Sequence, residues 1–73
     1  MINELDLVVL TEDVPDFGLQ RGDVGTVVHV YGKPGYEVEF LTLTGDTIAV
    51  VTLAPTQIRL ARAKEVMHAR PVA

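Results

Sequence analysis

Apolar and polar residues alternate with a period of two along much of the chain, and this period is typical of β-strands. The clearest example is YEVEFL, where Tyr36, Val38 and Phe40 share one side and glutamates occupy the other. Valine, isoleucine and threonine dominate the remaining segments, as in most strands. Five strands are predicted, at residues 4–10, 24–31, 36–41, 47–53 and 58–60.

Glycine and proline separate the predicted strands. Residues 33–36 (KPGY) fit a type II turn, with proline at the first central position and glycine at the second. Gly45 fits the first central position of a type II′ hairpin over residues 44–47. Gly25, inside the second strand, indicates a bulge or a sharp bend.

The order of strands and loops is typical of SH3-like barrels: a long loop at residues 11–22 and a short 3₁₀ turn at residues 54–57. After Leu60 the residues are mainly Ala, Arg, Lys, Glu and Met, which favour a helix over residues 61–69 that Pro71 ends. The predicted architecture is all-β. It is a five-stranded SH3-like barrel at residues 1–60, followed by a basic tail at residues 61–73 with a short C-terminal helix.

Strands one, two and four carry apolar residues on both sides. In a small barrel one side of each strand fills the core and the other faces water, and a contiguous exposed apolar patch usually marks an interface. The tail could cover such a patch in cis or in trans. A bulge that reverses the faces of a strand is the alternative explanation. The expected self-association surface contains Val8, Leu10, Val27, Ile48, Val50, Val66 and Met67.

Charge is distributed unevenly. Residues 1–53 hold nine acidic and two basic residues, whereas residues 54–73 hold one acidic and four basic residues. An acidic body repels phosphate, which disfavours nucleic acid as its partner. Arg62, Lys64 and Arg70 of the tail are expected to meet an acidic protein surface.

Size and composition indicate one small domain. Seventy-three residues without cysteine cannot use disulfides, so stability depends on an efficient apolar core or on oligomerisation. The N-terminus lacks the basic and apolar regions of a signal peptide, and no apolar run is long enough to span a bilayer. We therefore expect a cytoplasmic protein.

The sequence holds few groups for catalysis. It has no serine and no cysteine, so the common nucleophile arrangements are absent. His29 is predicted to point outward from strand two and His68 to lie near the end of the tail helix, and their spacing is not that of metal ligands. No enzyme activity, cofactor or metal is predicted.

Four segments carry a resemblance to known proteins: LTEDVP at residues 10–15, GL at 18–19, GDVGTVV at 22–28 and YEVEF at 36–40. Together they resemble a small bacterial family of uncharacterised proteins, a resemblance that covers residues 5–60. It implies an SH3-like barrel and no activity. GDVGTVV is also similar to the hairpin of KOW-type domains, which implies RNA contact. The basic residues that such domains use are missing here, and Asp23, Glu37 and Glu39 occupy strand and turn positions.

The function expected from the sequence is that of a non-enzymatic module that forms a homo-oligomer and binds a protein partner. The alternative is KOW-like nucleic-acid binding through the basic tail.

Overall fold

The computed structural model describes residues 1–32 and 35–72. The described chain is all-β: five strands form one antiparallel sheet in the order β4-β3-β2-β1-β5. Two 3₁₀ turns complete the fold. The strands are β1 (Leu7–Leu10), β2 (Val24–Val30), β3 (Tyr36–Leu41), β4 (Thr47–Leu53) and β5 (Ile58–Leu60), and the 3₁₀ turns are Pro15–Phe17 and Pro55–Gln57.

The bounds predicted for β3, β4 and β5 are confirmed. The first strand begins later than predicted because residues 3–6 form a turn, in which the Asp6 N–H donates to the Asn3 carbonyl at 3.1 Å. Leu5 takes a left-handed backbone (φ 71°) in this turn and is exposed. The long loop after β1 is pinned by Leu19, which is buried and bridges to Val14.

The β3–β4 hairpin differs from the predicted type II′ turn. The Thr42 N–H donates to the Asp46 carbonyl and the Gly45 N–H to the Thr42 carbonyl. This is the pattern of a three-residue loop that ends in a left-handed glycine, and Gly45 has φ 93°. The type II turn predicted at residues 33–36 includes Lys33 and Pro34, which lie outside the described residues.

The side of β2 that faces the core is the reverse of that predicted, and in β1 residues of both sides, Val8, Val9 and Leu10, are buried. Val8, Leu10 and Val27 are fully buried in the core, so they cannot contribute to an exposed interface. Leu7 and Val28, on the opposite sides of these two strands, are partly exposed. The error arises because both sides of these strands are apolar, so alternation does not identify the inner one. The core cluster is Val8, Leu10, Leu19, Val27, Val38, Phe40, Val51, Leu53 and Ile58.

Gly25 does not mark a bulge. It pairs regularly with Val8, and the register shift in β2 comes later, between Val27 and His29. A Cβ at Gly25 would lie 2.6 Å from Val38 Cγ1 and 2.9 Å from Phe40 Cε1. The glycine is therefore required because β3 side chains occupy the space in front of its backbone.

The predicted C-terminal helix is wrong. Residues 61–72 contain no helix, only a turn in which the Glu65 N–H donates to the Arg62 carbonyl at 3.1 Å. Nine or ten residues with good helix propensity do not form a stable helix alone in water. Contacts between tail side chains and the sheet domain determine the conformation instead.

Candidate functional site

The carboxylate that accepts the most hydrogen bonds in the described structure is that of Asp23, immediately before β2. Only 8% of the residue is exposed. The turn that carries it is fixed to the sheet, because the Leu10 N–H donates to the Asp23 carbonyl and the Gly22 N–H donates to the Leu10 carbonyl, both at 2.9 Å. Its carboxylate faces the basic tail.

Four donors saturate this carboxylate. Arg70 binds it with two groups, Nε to Oδ1 at 2.9 Å and Nη2 to Oδ2 at 2.6 Å. His68 Nε2 lies 3.0 Å from Oδ1, and the Gln20 N–H donates to Oδ2 at 2.8 Å. A carboxylate only accepts, so Nε2 of His68 carries the proton in this arrangement. The Arg70 guanidinium also donates to the Gly18 carbonyl at 2.8 Å.

The electrostatics of the site keep Asp23 ionised. Burial raises the pKa of this carboxyl, but the hydrogen bond from Arg70, the Gln20 N–H and the charge of Arg70 together outweigh burial. The pKa of Asp23 therefore lies below its usual value. The same pair raises the pKa of the Arg70 guanidinium, so Arg70 is charged at every physiological pH.

A second ion pair holds the beginning of the tail. Arg59 on β5 donates to both carboxylate oxygens of Glu65, at 2.8 and 2.6 Å, and the Arg62 N–H donates to the same side chain at 2.6 Å. Chiefly because of the hydrogen bond from Arg59, the pKa of Glu65 falls to about 2. The tail is thus tied to the domain of its own chain at both ends, in cis.

The basic residues of the tail have different roles from those predicted. Arg70 meets an acidic group, as expected, but that group belongs to its own chain. Arg62 contributes its backbone to the Glu65 pair, and no ion pair of its side chain or of Lys64 is found within the described residues. Val66, which was predicted for the self-association surface, is 95% exposed.

A groove of about 320 Å³ lies between the tail and the β3–β4 hairpin. Residues 41–44 of the hairpin and residues 67–70 and 72 of the tail line it, together with the core residues Leu19 and Phe40. Its apolar lining includes four large exposed side chains. These four, which we call the groove rim, are Leu41, Leu43, Met67 and Val72.

Two of the residues predicted for the interface lie on β4. Val50 is 46% exposed, as expected for the outer side of the strand, whereas Ile48 packs partly against the core and lines the groove. The register irregularity between Phe40 and Leu41 in the β3–β4 pairing lies beside Ile48. The residues predicted to form one surface are therefore divided among the core, the groove, the sheet edge and, for Val66, an exposed part of the tail.

The remaining titratable groups are dispersed. His29 is exposed, lies 3.7 Å from a Glu4 carboxylate oxygen and stacks edge-on against Tyr31. Within residues 1–32 and 35–72, no three acidic or histidine side chains are gathered as metal ligands. The same residues contain no helix long and apolar enough to cross a membrane.

Tail docking predicts a specific effect at Gly22. Its φ is 95°, and an added Cβ would lie 3.3 Å from the His68 ring. We expect Gly22→Ala to destabilise the fold by about 1–2 kcal/mol and to displace the tail. Gly45→Ala is the control, since its φ of 93° carries similar strain with nothing within 4 Å. Amide hydrogen exchange of tail residues 67–70 should be faster in Gly22→Ala than in Gly45→Ala. Equal rates would contradict the docked tail.

Sequence reasoning did not identify Asp23 as the centre of this site. Asp23 lies in a glycine-containing turn, where an aspartate normally faces solvent. The one available signal was the opposite charge of body and tail, which indicates attraction but no particular pair.

Fold and site define a small all-β domain whose basic tail is ion-paired to its own body beside an apolar groove. The chain belongs to the family described as a domain of unknown function, DUF4926, which matches residues 4–60. The tail that completes the groove lies outside the matched range. Searches of curated proteins and of solved structures give no match.

Proposed function

We propose that this chain is a non-enzymatic, cytoplasmic protein-interaction module that self-associates and binds a protein partner, with the groove as the partner site. The observation that carries the proposal is the groove rim. Leu43 is 95% exposed and Met67 is 64% exposed, and both line the same groove. Large apolar side chains gathered around one concavity are typical of protein-binding sites.

The energetics favour an occupied groove. Burial of apolar surface contributes about 25 cal/mol per Å², so covering a few hundred Å² would contribute several kcal/mol. A domain of this size has a total stability of about the same magnitude. A partner that presents an apolar segment to the rim would therefore stabilise the domain as it binds.

The polar groups beside the groove have structural rather than chemical roles in this proposal. The Asp23 carboxylate already accepts four hydrogen bonds, which leaves it no free lone pair for proton transfer. The chain has neither serine nor cysteine to pair with His68 as a nucleophile. These features support a binding function over catalysis.

The proposed module has the closed form of an SH3-like barrel. The edges of a flat five-stranded sheet would stand about 19 Å apart. Only residues 54–57 connect edge strand β4 to edge strand β5, and three of them form a 3₁₀ turn that rises about 2 Å per residue. So short a connection between opposite edges favours a strongly curled sheet.

The proposal is tested with the double variant Leu43→Ser/Met67→Gln and the control Leu5→Ser. Leu5 is also exposed and apolar, but it does not line the groove. Affinity capture is compared for the wild-type chain and both variants, and light scattering measures the wild-type mass. We expect a mass above 7.9 kDa, and a protein that the wild type and the control retain but the double variant loses.

Two results would contradict the proposal. A strictly monomeric wild type would contradict the proposed self-association. If all three chains captured the same proteins, the groove would not be the partner site.

The alternative function is nucleic-acid binding through the tail. The basic tail residues Arg62 and Lys64, both exposed, give it some support. Arg70 is occupied by Asp23, and the acidic residues of β3 lie on the exposed side of the sheet. A titration with single-stranded RNA at low salt distinguishes the two functions, because phosphate binding weakens steeply as salt is added. We expect no binding.

A further inference from the structure

Residues 66–72 of the tail are held to the domain by few bonds. Within the described part of the chain, no backbone hydrogen bond joins this segment to the sheet. From residue 62 to residue 72 every residue is exposed except Arg70. The side-chain bonds between the described segment and the domain are those of Arg70 and His68 to Asp23 and of Arg70 to the Gly18 carbonyl. We call these bonds the latch. Because the rest of the segment is in water, opening the latch releases it.

Release of the tail changes the groove. Met67 and Val72 leave with the tail, whereas Leu41 and Leu43 remain on the β3–β4 hairpin. Asp23 also lines the groove and remains in place, because its turn is bonded to β1 through the backbone. The open form therefore presents one carboxylate beside an apolar wall.

The Asp23 carboxylate determines what can take the place of the tail. Its side chain is only 10% exposed, and the Gly18 carbonyl beside it is also a pure acceptor. A segment without a cation would cover an unpaired carboxylate, which is strongly unfavourable. An occupant of this site must therefore supply a positive charge with hydrogen-bond donors.

The acceptors are spaced for a guanidinium group. Nε and Nη2 of Arg70 donate to the two carboxylate oxygens of Asp23 at 2.9 and 2.6 Å, and Nη2 also donates to the Gly18 carbonyl at 2.8 Å. A lysine ammonium is a compact point charge without this planar fork. The site therefore selects arginine, and the apolar lining selects neighbours such as Met67 and Val72.

We propose that the tail is an autoinhibitory segment, which occupies in cis the docking site of a partner protein segment that carries an arginine between apolar residues. This inference rests on the proposed function, in which the groove is the partner site, and names the chemistry of the partner. The acceptors lie within the matched range 4–60 and the donors outside it, so the domain presents the site and a separate segment fills it. A tethered tail competes at an effective concentration of about millimolar, which lowers the apparent affinity of the partner.

The test measures binding of a labelled synthetic peptide, VMHARPV (residues 66–72), to the full-length chain by fluorescence anisotropy. Arg70→Ala opens the latch and leaves the acceptors intact. Arg62→Ala is the matched control, because it removes the same charge from an exposed tail position. We expect Arg70→Ala to bind the peptide about tenfold more tightly than the wild type, and Arg62→Ala to bind it like the wild type. Saturating peptide should move the His68 ring resonances of the wild type to their positions in Arg70→Ala.

Altered peptides test the same bonds without altering the fold of the chain. In one copy the uncharged analogue citrulline replaces the arginine, and in another lysine replaces it. We expect the citrulline copy not to bind Arg70→Ala, and the lysine copy to bind it at least about fivefold more weakly than the arginine peptide. Equal binding of the arginine and citrulline peptides would overturn the role of Asp23. Equal affinity of the wild type and Arg70→Ala for the arginine peptide would overturn autoinhibition.

Other outcomes distinguish this inference from the proposed function. If the peptide does not displace the tail while protein capture still depends on the groove rim, autoinhibition alone is wrong. If the peptide binds as expected but the chain captures no protein and stays monomeric, both the proposed function and the protein partner named here are wrong. Self-association that Arg70→Ala loses, and that mixing with Asp23→Asn restores, would identify the tail of a second copy as the occupant and overturn the choice of partner.

Discussion

Replacing Gly25 by alanine is expected to remove most of the stability of this domain. The new methyl group would lie 2.6 Å from Val38 Cγ1, 2.9 Å from Phe40 Cε1 and 3.0 Å from the Glu39 carbonyl. Two of these atoms belong to buried core side chains and the third to the backbone of a central strand, so none can move without disturbing the sheet. Overpacking of this kind costs about 3 kcal/mol at its upper end. Urea unfolding measures the loss.

The control for this prediction is Gly32→Ala. Gly32 has nothing within 4 Å of a Cβ and needs no positive φ, so its substitution should be neutral or slightly stabilising. A double variant tests the mechanism: Val38→Ala removes the nearest methyl groups, so Gly25→Ala/Val38→Ala should be at least about 1 kcal/mol more stable than additivity predicts. Strict additivity would show that the close approach to Val38 is not the cause.

The sequence predicted best those strands in which charge distinguishes the two sides. In β3 the glutamates can only face solvent, so Val38 and Phe40 must face the core, and both are buried. On β4, which carries no charge, the predicted outer position of Val50 is correct, but Ile48, predicted for the same side, packs partly against the core.

Alternation of polar and apolar residues did not identify which side of β1 and β2 faces the core. In LVVL every residue is apolar, and three consecutive residues are buried, so no alternation exists to be detected. In β2 the useful signal was Gly25. A glycine facing the core leaves room for a large residue of the neighbouring strand, and that strand carries Phe40. Read as a packing residue rather than a bulge, Gly25 would have placed Val27 in the core.

The tail shows why local propensity fails for short segments. Its residues favour a helix, but each contributes only a few tenths of a kcal/mol. Two charge-assisted anchors, Glu65 with Arg59 and Arg70 with Asp23, fix a non-helical conformation. The partners of each anchor are brought together by the fold, since Arg70 and Asp23 are 47 residues apart. Local sequence patterns carry no information about such a pair.

The second large effect is expected at Asp23. Asp23→Asn removes the charge that Arg70 and His68 share and turns an amide N–H₂ group toward their donors. We expect the tail to detach and the free energy of unfolding to fall by about 1–2 kcal/mol, a modest value because the Arg70 and His68 side chains keep 23% and 43% of their surface in solvent. Asp16→Asn is the control, since Asp16 is exposed and forms no side-chain bond within the described residues. Denaturation and amide exchange of the tail measure both effects.

The direction of the pH dependence of this effect follows from the lowered pKa of Asp23. The pKa of Asp23 is lower in the folded chain than in the unfolded one, so its contribution is fully present above about pH 4 and is lost as pH falls through the folded pKa. The stability gap between wild type and Asp23→Asn should therefore close on acidification. Glu65, with its pKa of about 2, also loses its contribution to stability in an overlapping pH range. The comparison is therefore repeated in a Glu65→Gln background, which removes that second contribution. A gap that stays constant down to strongly acidic pH would mean that the carboxylate charge does not hold the tail.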